Sequence, residues 1–141
     1  MRIARRVVVL FALLIGLTRP SAFAADAKNV EATPQAKAYR ALLKAVAAGD
    51  FDAYKKSMTK EAATGIDKQT EEMGLDPKKG MENLKAMTPT DLKLTALKVD
   101  GKKATLEATG KMDKEPNRGT VSLEQEDGQW KVANQSWTNA K

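Results

Sequence analysis

The stretch EDGQWKVANQSW, residues 126–137, decides the fold because it encodes a β-hairpin and holds both tryptophans of the chain. Asp127-Gly128 is a dipeptide typical of a two-residue turn between antiparallel strands. A loop of that length keeps the apolar side chains of both strands on one face, and a slip of one residue would move them to the other. The pairs predicted from this turn are Gln125 with Trp130, Leu123 with Val132 and Val121 with Asn134.

A period of two extends upstream to Asp91 and indicates an antiparallel meander with one apolar face. A second turn signal, Asp100-Gly101, marks another hairpin. A two-residue loop here would mix apolar and polar positions, so the pattern predicts a three-residue loop over residues 99–101 with Gly101 left-handed. The pairs predicted from this loop are Leu94 with Leu106 and Ala96 with Ala104.

The residues before the meander have helical spacing. Thr33-Pro34 is an N-cap followed by proline at the first helical position, and Asp76-Pro77 repeats the signal. Asp50 and Thr59 can cap two segments between them. The apolar residues at helical spacing are Tyr39, Leu42, Leu43, Val46 and Ala47, then Phe51, Tyr54 and Met58, then Ala62, Ala63 and Ile66, then Met81, Leu84 and Met87.

The N-terminus has the organisation of a secretory signal peptide. Basic MRIARR precedes the apolar run VVVLFALLIGL, and the small residues Ala22 and Ala24 fit cleavage after Ala24. The run is shorter than a membrane span, and no cysteine follows it to carry a lipid. We expect a signal peptide over 1–24, a flexible lead-in over 25–32, one domain over 33–141, and a bacterial periplasmic or secreted protein. The pair Arg5-Arg6 leaves the twin-arginine route open beside the general secretory route.

Charge argues against nucleic acid as a partner. The chain has 24 Lys and Arg and 18 Asp and Glu, a net charge of +6. Four of the arginines lie in residues 1–24, which contain no acid, so the rest has 20 basic and 18 acidic residues. A nucleic-acid-binding domain would keep a concentrated basic surface after cleavage. We therefore expect no nucleic-acid binding, no membrane span after cleavage, and a monomer or weak homodimer.

Short helices followed by a meander that ends in EDGQWKVANQSW resemble the nuclear transport factor 2-like superfamily. The residues that carry the resemblance are Ala48-Gly49-Asp50 after the first helix, and Gly128, Trp130 and Val132 in the last hairpin. The resemblance spans about Thr33 to Trp137. It implies a cone-shaped α+β fold, also seen in cystatin-like domains, with N-terminal helices packed on a curved antiparallel meander. It also implies a pocket between the helices and the concave face.

The inventory of reactive side chains is small. Without His or Cys, the chain excludes histidine-based triads, thiol catalysis and ordinary transition-metal sites. Superfamily enzymes resembling ketosteroid isomerases or polyketide cyclases use acids in the pocket, whereas the strand acids Glu107, Glu124 and Glu126 fall opposite the apolar face. The methionines are too scattered for a copper site and are typical of helix packing. We predict no metal and no cofactor.

The predicted pocket residues are Tyr39, Tyr54, Gln125, Trp130 and Asn134. Gln125 and Asn134 share the apolar face with Trp130, as polar groups in a ligand site would, although they can equally lie at the rim, bonded to water or the helices. Trp137 lies seven residues after Trp130, so strict alternation places it on the opposite face as an interface residue. A bulge near Asn134 would instead turn Trp137 inward.

These patterns predict an exported, non-enzymatic binding domain. Its partner is either a small apolar ligand in the cone or another protein, and a toxin bound by an immunity-type protein is one example of the latter. The alternative is a small enzyme of the ketosteroid isomerase or polyketide cyclase type, acting through Tyr39 or Tyr54 with a helix acid. An acid or tyrosine that points into a pocket would favour the enzyme, and a filled cone would favour protein interaction.

Overall fold

The computed structural model describes residues 23–25 and 27–140. Most of the predicted signal peptide lies outside these residues. Four of the five helices begin at residues whose side chains accept hydrogen bonds from the first turn, and these caps are Thr33, Asp50, Thr59 and Asp76. The helices are α1 (Ala27–Val30), α2 (Pro34–Ala48), α3 (Phe51–Lys56), α4 (Lys60–Glu72) and α5 (Pro77–Ala86).

The strands form one antiparallel sheet in which each strand pairs with its neighbours in the sequence. The first strand is short and precedes the helices, and the other four form the predicted meander. The strands are β1 (Phe23–Ala25), β2 (Thr90–Asp100), β3 (Lys103–Met112), β4 (Glu115–Glu126) and β5 (Gln129–Asn139). The predicted α+β architecture, helices followed by an antiparallel meander, is therefore confirmed.

One face of the sheet packs against the helices. The core joins α2 to the inward residues of the meander, and its largest fully buried side chains include Tyr39, Leu42, Leu106 and Leu123. Segment 57–59 pairs with the edge of β5. The backbone N–H of Thr59 donates to the Val132 carbonyl, and the Val132 N–H donates to the Ser57 carbonyl. These bonds fix the end of α3 against the sheet.

The lead-in differs from the prediction. Residues 27–30 form α1, and Val30 is fully buried in the core. Glu31 pairs with Arg40 on α2, and the guanidinium of Arg40 holds the pKa of that carboxyl below its usual range. The prediction of a flexible lead-in over 25–32 was therefore wrong for this part, because an apolar side chain and an ion pair attach it to the domain.

The structure confirms one of the two predicted turns and corrects the other. Glu126 pairs with Gln129, and both loop residues, Asp127 and Gly128, have positive φ, which confirms the tight turn and the pairing of Gln125 with Trp130. At the other hairpin Asp100 pairs with Lys103, so the predicted three-residue loop was wrong. Gly101 is left-handed as predicted, with φ of 58°.

A bulge in β2 explains why the first register was mispredicted. Thr95 has no partner on β3, since Leu94 pairs with Ala108 and Ala96 with Glu107. The extra residue changes the phase of the strand, so that both Leu94 and Leu97 are buried although they are three residues apart. Apolar residues spaced by three within a strand therefore mark the bulge.

A bulge in β5 decides the orientation of the final residues of that strand. Leu123 pairs with Val132 as predicted, but Ser122 pairs with Asn134, which leaves Ala133 as the extra residue. Val121 consequently pairs with Gln135, not Asn134. After this bulge the odd-numbered residues of β5 face the helices.

Candidate functional site

A cavity of about 290 Å³ lies between the helices and the sheet. Helices α2, α3 and α5 supply one wall, and β3 and β5 the other. Its lining is mainly apolar, with an amide, a phenol, a hydroxyl and an indole N–H as polar groups. The lining residues are Leu42, Leu43, Val46, Tyr54, Leu84, Met87, Thr88, Pro89, Met112, Gln135 and Trp137.

The amide of Gln135 is held in one orientation by two neighbours. The Tyr39 hydroxyl donates to Gln135 Oε1 at 2.9 Å, and the indole Nε1 of Trp137 lies 3.4 Å from the same oxygen. An indole nitrogen can only donate, so the side-chain atom that faces it must be the amide oxygen. The NH₂ group of Gln135 is therefore directed away from both partners and keeps its two donors.

Tyr54 brings a second uncommitted donor to the cavity. Its side chain is 5% exposed, and no hydrogen bond joins its hydroxyl to another residue in the described part of the chain. No fully buried side-chain nitrogen or oxygen of the described residues lacks a partner. The Tyr54 oxygen therefore retains accessible surface, and Tyr54 is one of the residues that line the cavity.

Both tyrosines are neutral hydrogen-bonding groups. Burial raises the pKa of Tyr39 to about 12, against the smaller opposing effects of the Trp137 N–H and the Arg40 charge. Burial also raises the pKa of Tyr54. A tyrosine with a raised pKa keeps its proton at neutral pH, so neither phenol can serve there as a general base.

Two strand glycines lie beside Trp137, and the sequence pattern did not single them out. A β-carbon at Gly119 would lie 2.7 Å from three atoms of the indole ring. A β-carbon at Gly110 would lie 2.7 Å from Cβ of Pro89 and 3.6 Å from the indole. Glycine inside a strand often marks a close approach of another group, and this general signal could have identified both positions.

The structure separates the predicted site residues into two groups. Tyr54 lines the cavity, and Tyr39 lies buried behind Gln135, to which it donates. Trp137 also lines the cavity and packs against the core, so the outward orientation predicted by strict alternation was wrong and the inward alternative is the observed one. Gln135 was not among the predicted residues, yet its amide oxygen is the group that the Tyr39 hydroxyl and the Trp137 indole N–H both approach.

The other candidates lie elsewhere. Asn134 is exposed on the opposite face, because the bulge at Ala133 reverses the alternation, and its prediction as a pocket residue is corrected accordingly. Gln125 and Trp130 pair with each other beside the last turn and are not among the cavity-lining residues. Trp130 is half-buried and packs against the core, so it acts as a partial core anchor at the other end of the sheet.

No Asp, Glu, Lys or Arg belongs to the lining of this cavity within the residues that the structure describes. The site can therefore accommodate an apolar molecule and form hydrogen bonds with it, but its described lining has no charged side chain. None of the described helices has the length and apolar character needed to cross a membrane.

Comparison with known families gives a match over most of the chain. The family model of the SnoaL-like domain matches residues 36–137, which include all the cavity-lining residues. No curated protein and no solved structure shows significant similarity to the chain.

Proposed function

Because the chain belongs to the SnoaL-like domain family, within the nuclear transport factor 2-like superfamily, we propose that it binds a small apolar ligand in its cavity. SnoaL-like domains are compatible with ligand binding and with small enzymes, so the family does not choose between the two. The choice rests on the side chains in the cavity. We propose binding without catalysis.

One observation carries this proposal: the cavity is apolar, and its polar groups are all uncharged at neutral pH. Small-molecule sites are concave and mostly apolar, with a few polar groups that orient the ligand. The volume of about 290 Å³ lies near the lower end of such sites. A dry cavity of about 150 Å³ accommodates benzene, so this one has room for roughly two fused six-membered rings.

The same observation disfavours the enzyme alternative. General acid–base catalysis requires a group whose pKa lies near the working pH. The only titratable side chain in the described lining is Tyr54, and burial moves its pKa further from neutrality. A cavity without a carboxylate also lacks the acid that the resemblance to superfamily isomerases and cyclases implies.

We also propose that the protein works outside the cytoplasm. This rests on the order of basic, apolar and small residues over 1–24. The expected cleavage point after Ala24 lies inside β1, whose residues pair with Leu97–Val99 of β2. Cleavage there leaves only Ala25 of this strand, while Val30 and the rest of the core are retained.

The binding proposal is tested by calorimetric titration of the mature protein with tetralin, a neutral hydrocarbon of two fused rings. We expect saturable binding to the wild type and none to Leu84→Trp, which fills the cavity from α5. Lys79→Trp is the matched control, because Lys79 is exposed on the same helix and does not line the cavity. The proposal is wrong if tetralin does not bind the wild type, or if Leu84→Trp binds it equally well.

A further inference from the structure

Some hydrogen-bonding groups of the cavity are already satisfied by protein groups and others are not. The unsatisfied groups indicate what kind of ligand the cavity can hold. Gln135 Oε1 accepts from Tyr39 and lies close to the Trp137 N–H, so this acceptor is occupied by protein groups. The Thr88 hydroxyl donates to the Leu84 carbonyl at 2.7 Å, which uses its only proton. The uncommitted donors among the described lining side chains are the Gln135 NH₂ and the Tyr54 hydroxyl, whereas the acceptors that remain are the two hydroxyl oxygens of Thr88 and Tyr54.

The orientation of the Gln135 NH₂ donors is set by the protein. If the Gln135 amide were rotated by half a turn, its NH₂ would face the indole N–H, donor against donor. The hydrogen bond from Tyr39 at 2.9 Å favours the same amide orientation. It is shielded from water, because Tyr39 is fully buried. Such pre-orientation lowers the cost of ordering the group when a ligand binds.

The absence of charge in the described lining limits the ligand further. An ionised group placed in an apolar cavity loses hydration and would need an opposite charge or several hydrogen bonds in compensation. The described lining offers no opposite charge. An uncharged acceptor loses much less hydration and can be satisfied by one or two donors.

We propose that the ligand is an uncharged, ring-sized apolar molecule with a carbonyl oxygen that accepts hydrogen bonds from the Tyr54 hydroxyl and the Gln135 NH₂. This inference rests on the proposed binding function and deepens it. Tyr39 then acts as a positioning residue, because it orients Gln135 and does not line the cavity itself.

The test compares three probes of similar shape. Tetralin has no acceptor, 1-tetralone adds one carbonyl, and 1-naphthoate carries a charge. We expect the wild type to bind 1-tetralone about 2- to 10-fold more tightly than tetralin, as one net neutral hydrogen bond predicts, and 1-naphthoate least tightly.

Two variants locate the donors. Tyr54→Phe removes a hydroxyl that bonds no described protein group, so it should fold normally and weaken 1-tetralone binding about 2- to 10-fold without affecting tetralin. Gln135→Glu keeps an oxygen for Tyr39 and replaces the donor NH₂ with an acceptor. It should remove the preference for 1-tetralone over tetralin, and thermal unfolding of each variant checks that the fold is intact.

The outcomes separate the two proposals. Binding of none of the three probes contradicts the proposed function itself. Equal binding of tetralin and 1-tetralone, unchanged by Tyr54→Phe and Gln135→Glu, contradicts the carbonyl inference and leaves the binding function standing. Tightest binding of 1-naphthoate contradicts the inference that the ligand is uncharged.

Discussion

Substituting Gly119 by alanine tests whether the indole of Trp137 lies flat against the sheet. An alanine β-carbon at this position would lie 2.7 Å from Cε2, Cζ2 and Cη2 of the ring. Carbon atoms pack favourably at about 3.5–4.0 Å, so the indole must move by roughly 1 Å. The backbone of β4 cannot give way easily, because Gly119 pairs with both Ala108 and Trp137 in the middle of the sheet.

The expected cost follows from this displacement. Overpacking of one methyl group in a well-packed region costs about 1–3 kcal/mol. The ring can move only away from the sheet, which changes the 3.4 Å contact of Nε1 with Gln135 Oε1 and reduces the space in the cavity. Gly119→Ala should therefore lower the free energy of unfolding by about 1–3 kcal/mol and weaken tetralin binding.

Urea unfolding measures the stability, and the emission of Trp137 in a Trp130→Phe background reports its environment. Gly80→Ala is the matched control, since nothing lies within 4 Å of a β-carbon there, and in α5 it should stabilise the protein by about 0.5–1 kcal/mol. Adding Trp137→Leu should relieve the clash, so the two substitutions should not be additive. Additive effects, or a Gly119→Ala variant as stable as the wild type with unchanged emission, would refute the packing described here.

Three further predictions concern other parts of the chain. The folded protein keeps the Tyr39 proton to a pKa of about 12 and the unfolded chain only to about 10, so stability present below pH 10 should fall by about 2–3 kcal/mol between pH 10 and 12. Urea unfolding of Tyr39→Phe should lack this component, and a parallel fall in both proteins would contradict it. Glu126→Ala should loosen α4, because both Glu126 oxygens accept from the Lys60 backbone N–H at 3.0 and 3.1 Å and no α4 residue is buried. Hydrogen exchange in α4 should then become faster, whereas unchanged protection would show that other contacts hold the helix. Protein isolated from the host's exported fraction should begin at Ala25, and an intact Met1 would contradict the export prediction.

The helices and the last turn could be predicted because their signals are local. Each helix cap needs one side chain at the first turn, and Thr33, Asp50, Thr59 and Asp76 all act as caps in the structure. The tight hairpin is specified by Asp127-Gly128, since both residues adopt positive φ at little cost. Neither feature depends on where the rest of the chain lies.

The strand registers depended on bulges, which are less visible in a sequence. In β2 the bulge could have been recognised, because Leu92, Leu94 and Leu97 cannot face the same side of a regular strand. The three-residue loop assumed regular strands on both sides, and it absorbed at the turn a phase change that actually occurs at Thr95. The apolar pattern conflicts with regular alternation, and the protein resolves this conflict within β2 and not at the turn.

In β5 the pattern permits two solutions, and regular alternation leaves Gln135, the centre of the site, facing outward. With regular alternation, Asn134 faces the core and Trp137 faces solvent, whereas one extra residue at Ala133 exchanges them and brings Gln135 inward. At the first inward position the sequence compares one amide with another, and only at the next does the bulge replace Ser136 by the apolar Trp137. The decision comes from distant residues: Gly119 leaves space for the indole, and Tyr39 supplies a buried donor for the Gln135 oxygen. Segment 57–59 bonds the backbone of Val132, the residue just before the bulge, and so fixes where the alternation changes. The inward orientation of Gln135 and Trp137 therefore follows from one inserted residue whose position is set by contacts with residues distant in the sequence.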